Sequence, residues 1–123
     1  MHISTVHHVQ ITIPPGAEDR ARAFYCGLLG LTEIDKPDSL HGRGGFWIQA
    51  GPVQVHFGIQ DLDRAASRVH IAYQVDDLPA WRALLIANGF TPEDGVPIPD
   101  FDRFEFRDPF GNRVEFIQPL AGR

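Results

Sequence analysis

From Thr5 to Ile13 apolar and polar residues alternate, with Val9, Ile11 and Ile13 on one face and His8, Gln10 and Thr12 on the other. A period of two marks a half-buried strand, and Pro14, Pro15 and Gly16 end it. The spacing then changes to that of a helix, predicted from about Ala17 to Leu29, with Ala17, Ala21, Phe24 and Leu28 as its buried stripe. Glu18 and Asp19 fall in the first turn, where the helix dipole favours negative charge. Gly30 suits a left-handed cap, with Leu31 as the apolar residue after it. Strands are predicted over Thr32–Asp35, Gly45–Ala50 and Val53–Gln60.

The second half repeats this order. Val69, Ile71, Tyr73 and Val75 alternate with His70, Ala72 and Gln74. Asp76 or Asp77 caps a helix with Pro79 in its first turn and Leu78, Trp81, Leu84 and Leu85 as its stripe. Gly89 and Phe90 end it as Gly30 and Leu31 end the first. A weak strand near Pro92–Val96 precedes strands at Arg103–Arg107 and Arg113–Gln118, joined by a turn at Asp108-Pro109-Phe110-Gly111-Asn112. The offset is 62 residues from His8 to His70, and 59 both from Gly30 to Gly89 and from His56 to Glu115. A near-constant offset across strand, helix end and last strand indicates an internal repeat. The expected fold is α+β: two β-α-β-β-β modules, about 5–60 and about 69–119, in one domain of 123 residues. Each half alone makes a marginal core, so the halves pack on each other, on a second chain, or both. The polar stretch Asp61–Ala66 reads as the linker.

Composition narrows the partners. Hydrophobic residues make up 43% and charged residues 22%, the balance of a globular chain. The net charge is −5 and the eleven Lys and Arg residues are scattered, which argues against a nucleic-acid partner. No apolar run approaches the roughly 18 residues of a membrane span. No signal peptide is visible at the N-terminus, so a cytoplasmic location is expected. Cys26, the single cysteine, lies in a predicted helix and reads as a packed thiol.

Four polar residues occupy matched places. His8 and His70 lie on the first strands of the two modules, and His56 and Glu115 on the last. The alternation turns all four away from the helix-packing face. If the two sheets curve toward each other, these side chains meet in one cavity. Three imidazoles and a carboxylate suit a borderline divalent metal such as Zn, Ni, Co, Mn or Fe. The competing reading is that the histidines are solvated strand residues and that Glu115 pairs with an arginine such as Arg103. Trp47, Gln49, Arg103 and Glu105 line the same cavity as substrate-binding residues if their strands keep the pattern; otherwise they form a ladder on the sheet surface. Arg113 is in phase with Glu115 and borders or pairs with it. His7 faces the other way from His8, and His2 and His41 lie in a tail and a loop. The glycines at 42, 44 and 45 do not form a phosphate-binding motif, and no serine lies in a nucleophile motif.

The segments His7-His8-Val9-Gln10-Ile11, Ala21-Arg22-Ala23-Phe24-Tyr25 with Leu29-Gly30-Leu31, and Asp108-Pro109-Phe110-Gly111-Asn112-Arg113-Val114-Glu115-Phe116 resemble the vicinal oxygen chelate superfamily. This is the group of glyoxalase I, bleomycin-resistance proteins, fosfomycin-resistance transferases and extradiol dioxygenases. The resemblance runs from Val6 to about Pro119. It implies paired βαβββ modules around a metal, a homodimer and a small-molecule substrate. Carried over position by position, the family's metal ligands fall on His8, His56, His70 and Glu115. One departure matters: glyoxalase I usually has Glu where this chain has His56. Glyoxalase I needs a carboxylate base beside the metal, and here Glu115 is expected to serve as both ligand and base, with Glu105 assisting. His8, His70 and Glu115 alone make a two-histidine, one-carboxylate triad, which suits Fe(II) oxygenases and resembles the fosfomycin-transferase site. The expected function is thus a glyoxalase-like, metal-dependent lyase or isomerase that chelates vicinal oxygens. The alternatives are a metal-free drug-binding protein of the bleomycin-resistance type, a thiol transferase and an Fe(II) dioxygenase.

Overall fold

Each half of the chain builds a four-stranded sheet with a helix on one face. The computed structural model describes residues 1–120, which form two compact units, one through Leu62 and the other from Asp63. The first unit contains β1 (His8–Ile13), α1 (Glu18–Arg22) continuing as a π-helical turn (Ala23–Leu28), and β2 (Thr32–Ile34). A 3-10 helix (Asp38–Arg43), β3 (Phe46–Ala50) and β4 (Val53–Ile59) complete it. The second contains β5 (His70–Gln74), α2 (Leu78–Ala87), β6 (Glu93–Asp94), β7 (Phe101–Arg107) and β8 (Arg113–Pro119). The strand orders are β1-β4-β3-β2 and β5-β8-β7-β6, the same pattern twice, so the predicted α+β repeat of two βαβββ modules is present. In each sheet the first strand runs parallel to the last, and the other neighbours are antiparallel.

The helix-facing positions of the first sheet hold Ile13, Phe46, Ile48, Val55 and Phe57, all buried, against Phe24 and Tyr25. Phe57 stacks on Phe46 with centroids 4.5 Å apart and meets Tyr25 at 4.8 Å. In the second unit Phe104, Phe106, Val114 and Phe116 are buried with Leu78 and Leu85 of α2. This one-sided burial leaves the opposite face of each sheet to polar residues.

Four expectations change. The first helix is not α-helical to its end: the Leu29 N–H bonds the Phe24 carbonyl at 2.9 Å, five residues back. This wider turn shifts the stripe, so Tyr25 and Leu29 are buried while Leu28 is only half-buried. The second helix behaves as read. Asp77 caps it, and Gly89 with φ of 88° closes it with bonds from Gly89 N to Ile86 O and from Phe90 N to Leu85 O. Leu84 of its predicted stripe, however, is exposed. The polar stretch read as a linker is not simply solvated. Arg64 is buried, and Arg107 donates to the carbonyls of Arg64 and Ser67. The first strand begins at His8 rather than Thr5, so His7 lies outside its alternation.

Candidate functional site

On the open face of the first sheet, register puts Gln10, His56 and Trp47 side by side on β1, β4 and β3. His8, Gln54 and Gln49 form the next row. The rings assemble into a stack. His56 lies on Trp47 with centroids 3.7 Å apart and planes 1° apart, and His8 lies near His56 at 4.1 Å and 13°. His56 is 5% exposed. Its Nε2–H donates to Gln54 Oε1 at 2.9 Å. Burial first, then the neighbouring charges of His8 and His7, push its imidazolium down to about 4, so the ring is neutral near pH 7. His8 is exposed, and its Nδ1 lies 3.0 Å from Nδ1 of His7. Strand alternation alone would turn His7 away from His8. His7 approaches because it stands outside the strand, where no pleat fixes its direction. Gln49 turns aside, its amide donating to the Gly51 carbonyl.

The second sheet repeats the rows with different chemistry. Ala72, Glu115 and Glu105 hold the places of Gln10, His56 and Trp47, and His70 is paired with Arg113 as His8 is with Gln54. The turn after β7 sets this register. Asp108 Oδ1 accepts from the backbone N–H groups of Phe110 and Asn112, each at 2.9 Å, and its Oδ2 from the Asn112 side chain at 3.0 Å. Glu105 and Glu115 thereby stand directly opposite each other, an unfavourable pairing of like charges. Two arginines offset it. Arg103 Nη1 lies 3.4 Å from Glu105 Oε1 and 3.2 Å from Glu115 Oε1, and Arg113 pairs with Glu105 Oε2. The hydrogen bond from Arg113 is the main cause holding the Glu105 carboxyl below its ordinary value. Arg103 Nη2 also donates to the Val96 carbonyl at 2.8 Å. The Nε–H groups of Arg103 and Arg113 are buried and find no hydrogen-bond partner among the described residues. Glu105 and Arg113 border an open cleft of about 530 Å³ with Phe90, Glu93 and Arg107.

His70 Nε2 lies 3.3 Å from Glu115 Oε1, and His70 Nδ1 lies 2.9 Å from the Arg68 carbonyl. A carbonyl only accepts, so Nδ1 carries a proton; Nε2 then donates to Glu115 when the ring is charged, or offers its lone pair to a cation lying between the two when it is neutral. Two ligand bonds of about 2.1 Å meeting at about 100° span about 3.2 Å. The His70–Glu115 pair therefore has the separation of two ligands on one ion, with Arg103 sharing the same carboxylate oxygen. The His8–His56 pair does not have this form, because nearly parallel stacked rings send their in-plane lone pairs side by side rather than to one point. Among the described residues no group of three His, Cys, Asp or Glu side chains comes together in a form able to hold a metal ion. The Arg103–Glu115 pairing is the competing arrangement that the sequence allowed. Gln54 and the Arg68 carbonyl were not foreseen. Gln54 shares the strand face of His56, which was a usable signal; a backbone carbonyl leaves none.

No helix among the described residues is long and apolar enough to cross a membrane. The family model for the Glyoxalase/Bleomycin resistance protein/Dioxygenase superfamily matches residues 5–116. A glyoxalase family protein from Bacillus anthracis is 38% identical, with a TM-score of 0.88 and 98% of each chain covered. The fosfomycin resistance protein FosX from Listeria monocytogenes, solved with Mn(II) and sulfate, shares the fold at 14% identity, with a TM-score of 0.79 and 98% of this chain and 94% of that one covered. So does TnmS3, an antibiotic binding protein from Streptomyces sp. CB03234, at 21% identity and a TM-score of 0.73, covering 98% of this chain and 99% of that one. The comparison with curated proteins finds no match. With its family model matched over nearly the whole chain, the protein belongs to the glyoxalase/bleomycin resistance protein/dioxygenase superfamily.

Proposed function

We propose that this protein is a metal-dependent enzyme of the glyoxalase type, a lyase or isomerase acting on a small molecule with two neighbouring oxygens. The observation that carries this reading is the His70–Glu115 pair: an imidazole whose Nδ1 is held by the Arg68 carbonyl, with Nε2 3.3 Å from a buried carboxylate oxygen. His70 and Glu115 would hold the ion, and His8, whose exposed ring must first turn out of its stack on His56, is the third proposed ligand. A borderline ion such as Zn, Ni, Mn, Co or Fe, when bound, supplies a Lewis acid for the substrate's oxygens. Mn(II) in FosX supports a divalent ion within this fold.

The chain's own residues supply the rest. Glu115 is the proposed base, its second oxygen being available when Oε1 is engaged. Its burial beside Arg103 keeps water from solvating it freely, which matters for a carboxylate that must accept a carbon-bound proton. In this reading Arg103 and Glu105 on β7 orient the substrate, and Trp47 on β3 offers it an aromatic surface. Gln49, with its amide turned to Gly51, is the weakest of the expected substrate contacts. A homodimer, usual in the family, is part of the proposal. The test is proton exchange. Metal-loaded protein in deuterated water, given a panel of α-hydroxycarbonyl compounds, incorporates deuterium at the carbon beside the carbonyl, and Glu115→Gln does not. Absence of exchange with every ion and compound would overturn the assignment.

A second reading has its own observation. Arg103 on Glu115 neutralises the carboxylate without any metal, as a sequestering protein would tolerate, and TnmS3 is an antibiotic binding protein. Saturable binding of an aromatic drug that is unchanged in His70→Ala and insensitive to chelator would favour it.

A further inference from the structure

Four donors stand at matched strand positions, but they are not equivalent. His56 is the middle ring of a three-ring stack, 3.7 Å from Trp47 and 4.1 Å from His8, nearly parallel to both and 5% exposed. One of its nitrogens already donates to Gln54. To meet His8 at an ion, one of the two rings must leave the stack. His8 is exposed on the edge strand and turns at little cost, whereas His56 is covered on both sides. From this geometry we infer that His56 is a positioning residue: it holds the Trp47 indole flat on β3 and sets the resting orientation of His8, and, given the metal-dependent reading above, it is not a ligand of the ion. The last strand of the first module contributes a flat aromatic surface where the last strand of the second contributes a carboxylate.

A planar ring without donor nitrogens should replace His56, while a small side chain should not. Zinc alone is the probe, with affinity read by competition against a chromophoric chelator. Tryptophan emission is read in a Trp81→Phe background, which leaves Trp47 as the single tryptophan. His56→Phe is expected to keep zinc affinity within about threefold of wild type, whereas His8→Ala and Glu115→Ala lose more than the about 10–100-fold typical of supporting residues. His56→Ala is expected to shift Trp47 emission to the red, because the indole face that the stacked imidazole covers is opened to water. In unmutated protein, zinc should shift the ring nitrogen resonances of His8 and His70 and leave those of His56 in place, which tests the inference even if a variant misfolds. A zinc-induced shift at His56, a loss of affinity in folded His56→Phe equal to that in His8→Ala, or Trp47 emission indifferent to His56→Ala would overturn it. If wild type takes up none of zinc, nickel, manganese, cobalt or iron(II), the metal-dependent reading fails, and the stack is judged by emission alone: a red shift upholds the positioning role and no change overturns it.

Discussion

Arg103 and His70 converge on one atom: Oε1 of Glu115 lies 3.2 Å from Arg103 Nη1 and 3.3 Å from His70 Nε2. The carboxylate is thus held by a fixed positive charge on one side and faces an imidazole nitrogen on the other. Arg103 also reaches Glu105. Removing the guanidinium therefore has opposite effects on two measurable quantities. Arg103→Met should raise divalent-cation affinity by about tenfold, because an attractive competitor worth about 1–2 kcal/mol is lost at Glu115. The same change should lower the stability of the metal-free protein by about 1–3 kcal/mol, because Glu105 and Glu115 then face each other with Arg113 alone to offset them. Metal titration and denaturant unfolding of one variant check both. A fall in cation affinity would show that Arg103 supports the ion rather than competing with it.

The Glu105–Arg113 pair gives a pH dependence. Its folded-state carboxyl is held below the ordinary value, chiefly by the hydrogen bond from Arg113. A depressed folded value means stability that is present above the ordinary glutamate range and lost as pH falls through the folded value. Unfolding free energy followed downward from neutral pH should decline in wild type, and more shallowly in Glu105→Gln. At neutral pH that substitution should cost about 1 kcal/mol. Parallel acid limbs in the two proteins would contradict the assignment.

Gly45 controls the strand that carries Trp47. Its φ is 76°, and a Cβ there would lie 1.9 Å from the Phe57 carbonyl oxygen, an atom of the neighbouring strand's backbone. Nothing flexible is available to yield. Gly45→Ala should cost roughly 2–4 kcal/mol of stability, combining a left-handed backbone with a displaced strand, and thermal unfolding checks it. Gly30, also at positive φ but with open space where its Cβ would point, should tolerate alanine better.

The repeat was legible because it rests on period and on turn residues. Val9, Ile11 and Ile13 alternate, Gly30 and Gly89 cap helices, and Asp108 to Asn112 make the turn that aligns Glu105 with Glu115. These are local signals, each set by a few neighbouring residues. The π-helical turn was not legible, because one extra residue per turn leaves the residues of the stripe apolar and changes only which of them is buried: Tyr25 and Leu29 rather than Leu28. At the candidate site, strand phase identified the face of His8, His56, His70 and Glu115 and anticipated Arg103 as a partner of Glu115. Phase does not carry ring orientation. The stacking of His56 between His8 and Trp47 depends on three strands in register, and the tautomer of His70 depends on the Arg68 carbonyl. Both are tertiary facts with no spacing in the sequence to announce them.

Metal content tests the central claim most directly. Untagged protein purified without chelator should carry a stoichiometric divalent ion by elemental analysis, and the His70→Ala, Glu115→Ala double variant, folded by circular dichroism, should carry none. Wild type that remains metal-free after incubation with each of zinc, nickel, manganese, cobalt and iron(II) would contradict a metal-dependent enzyme and leave Arg103 as the lasting partner of Glu115.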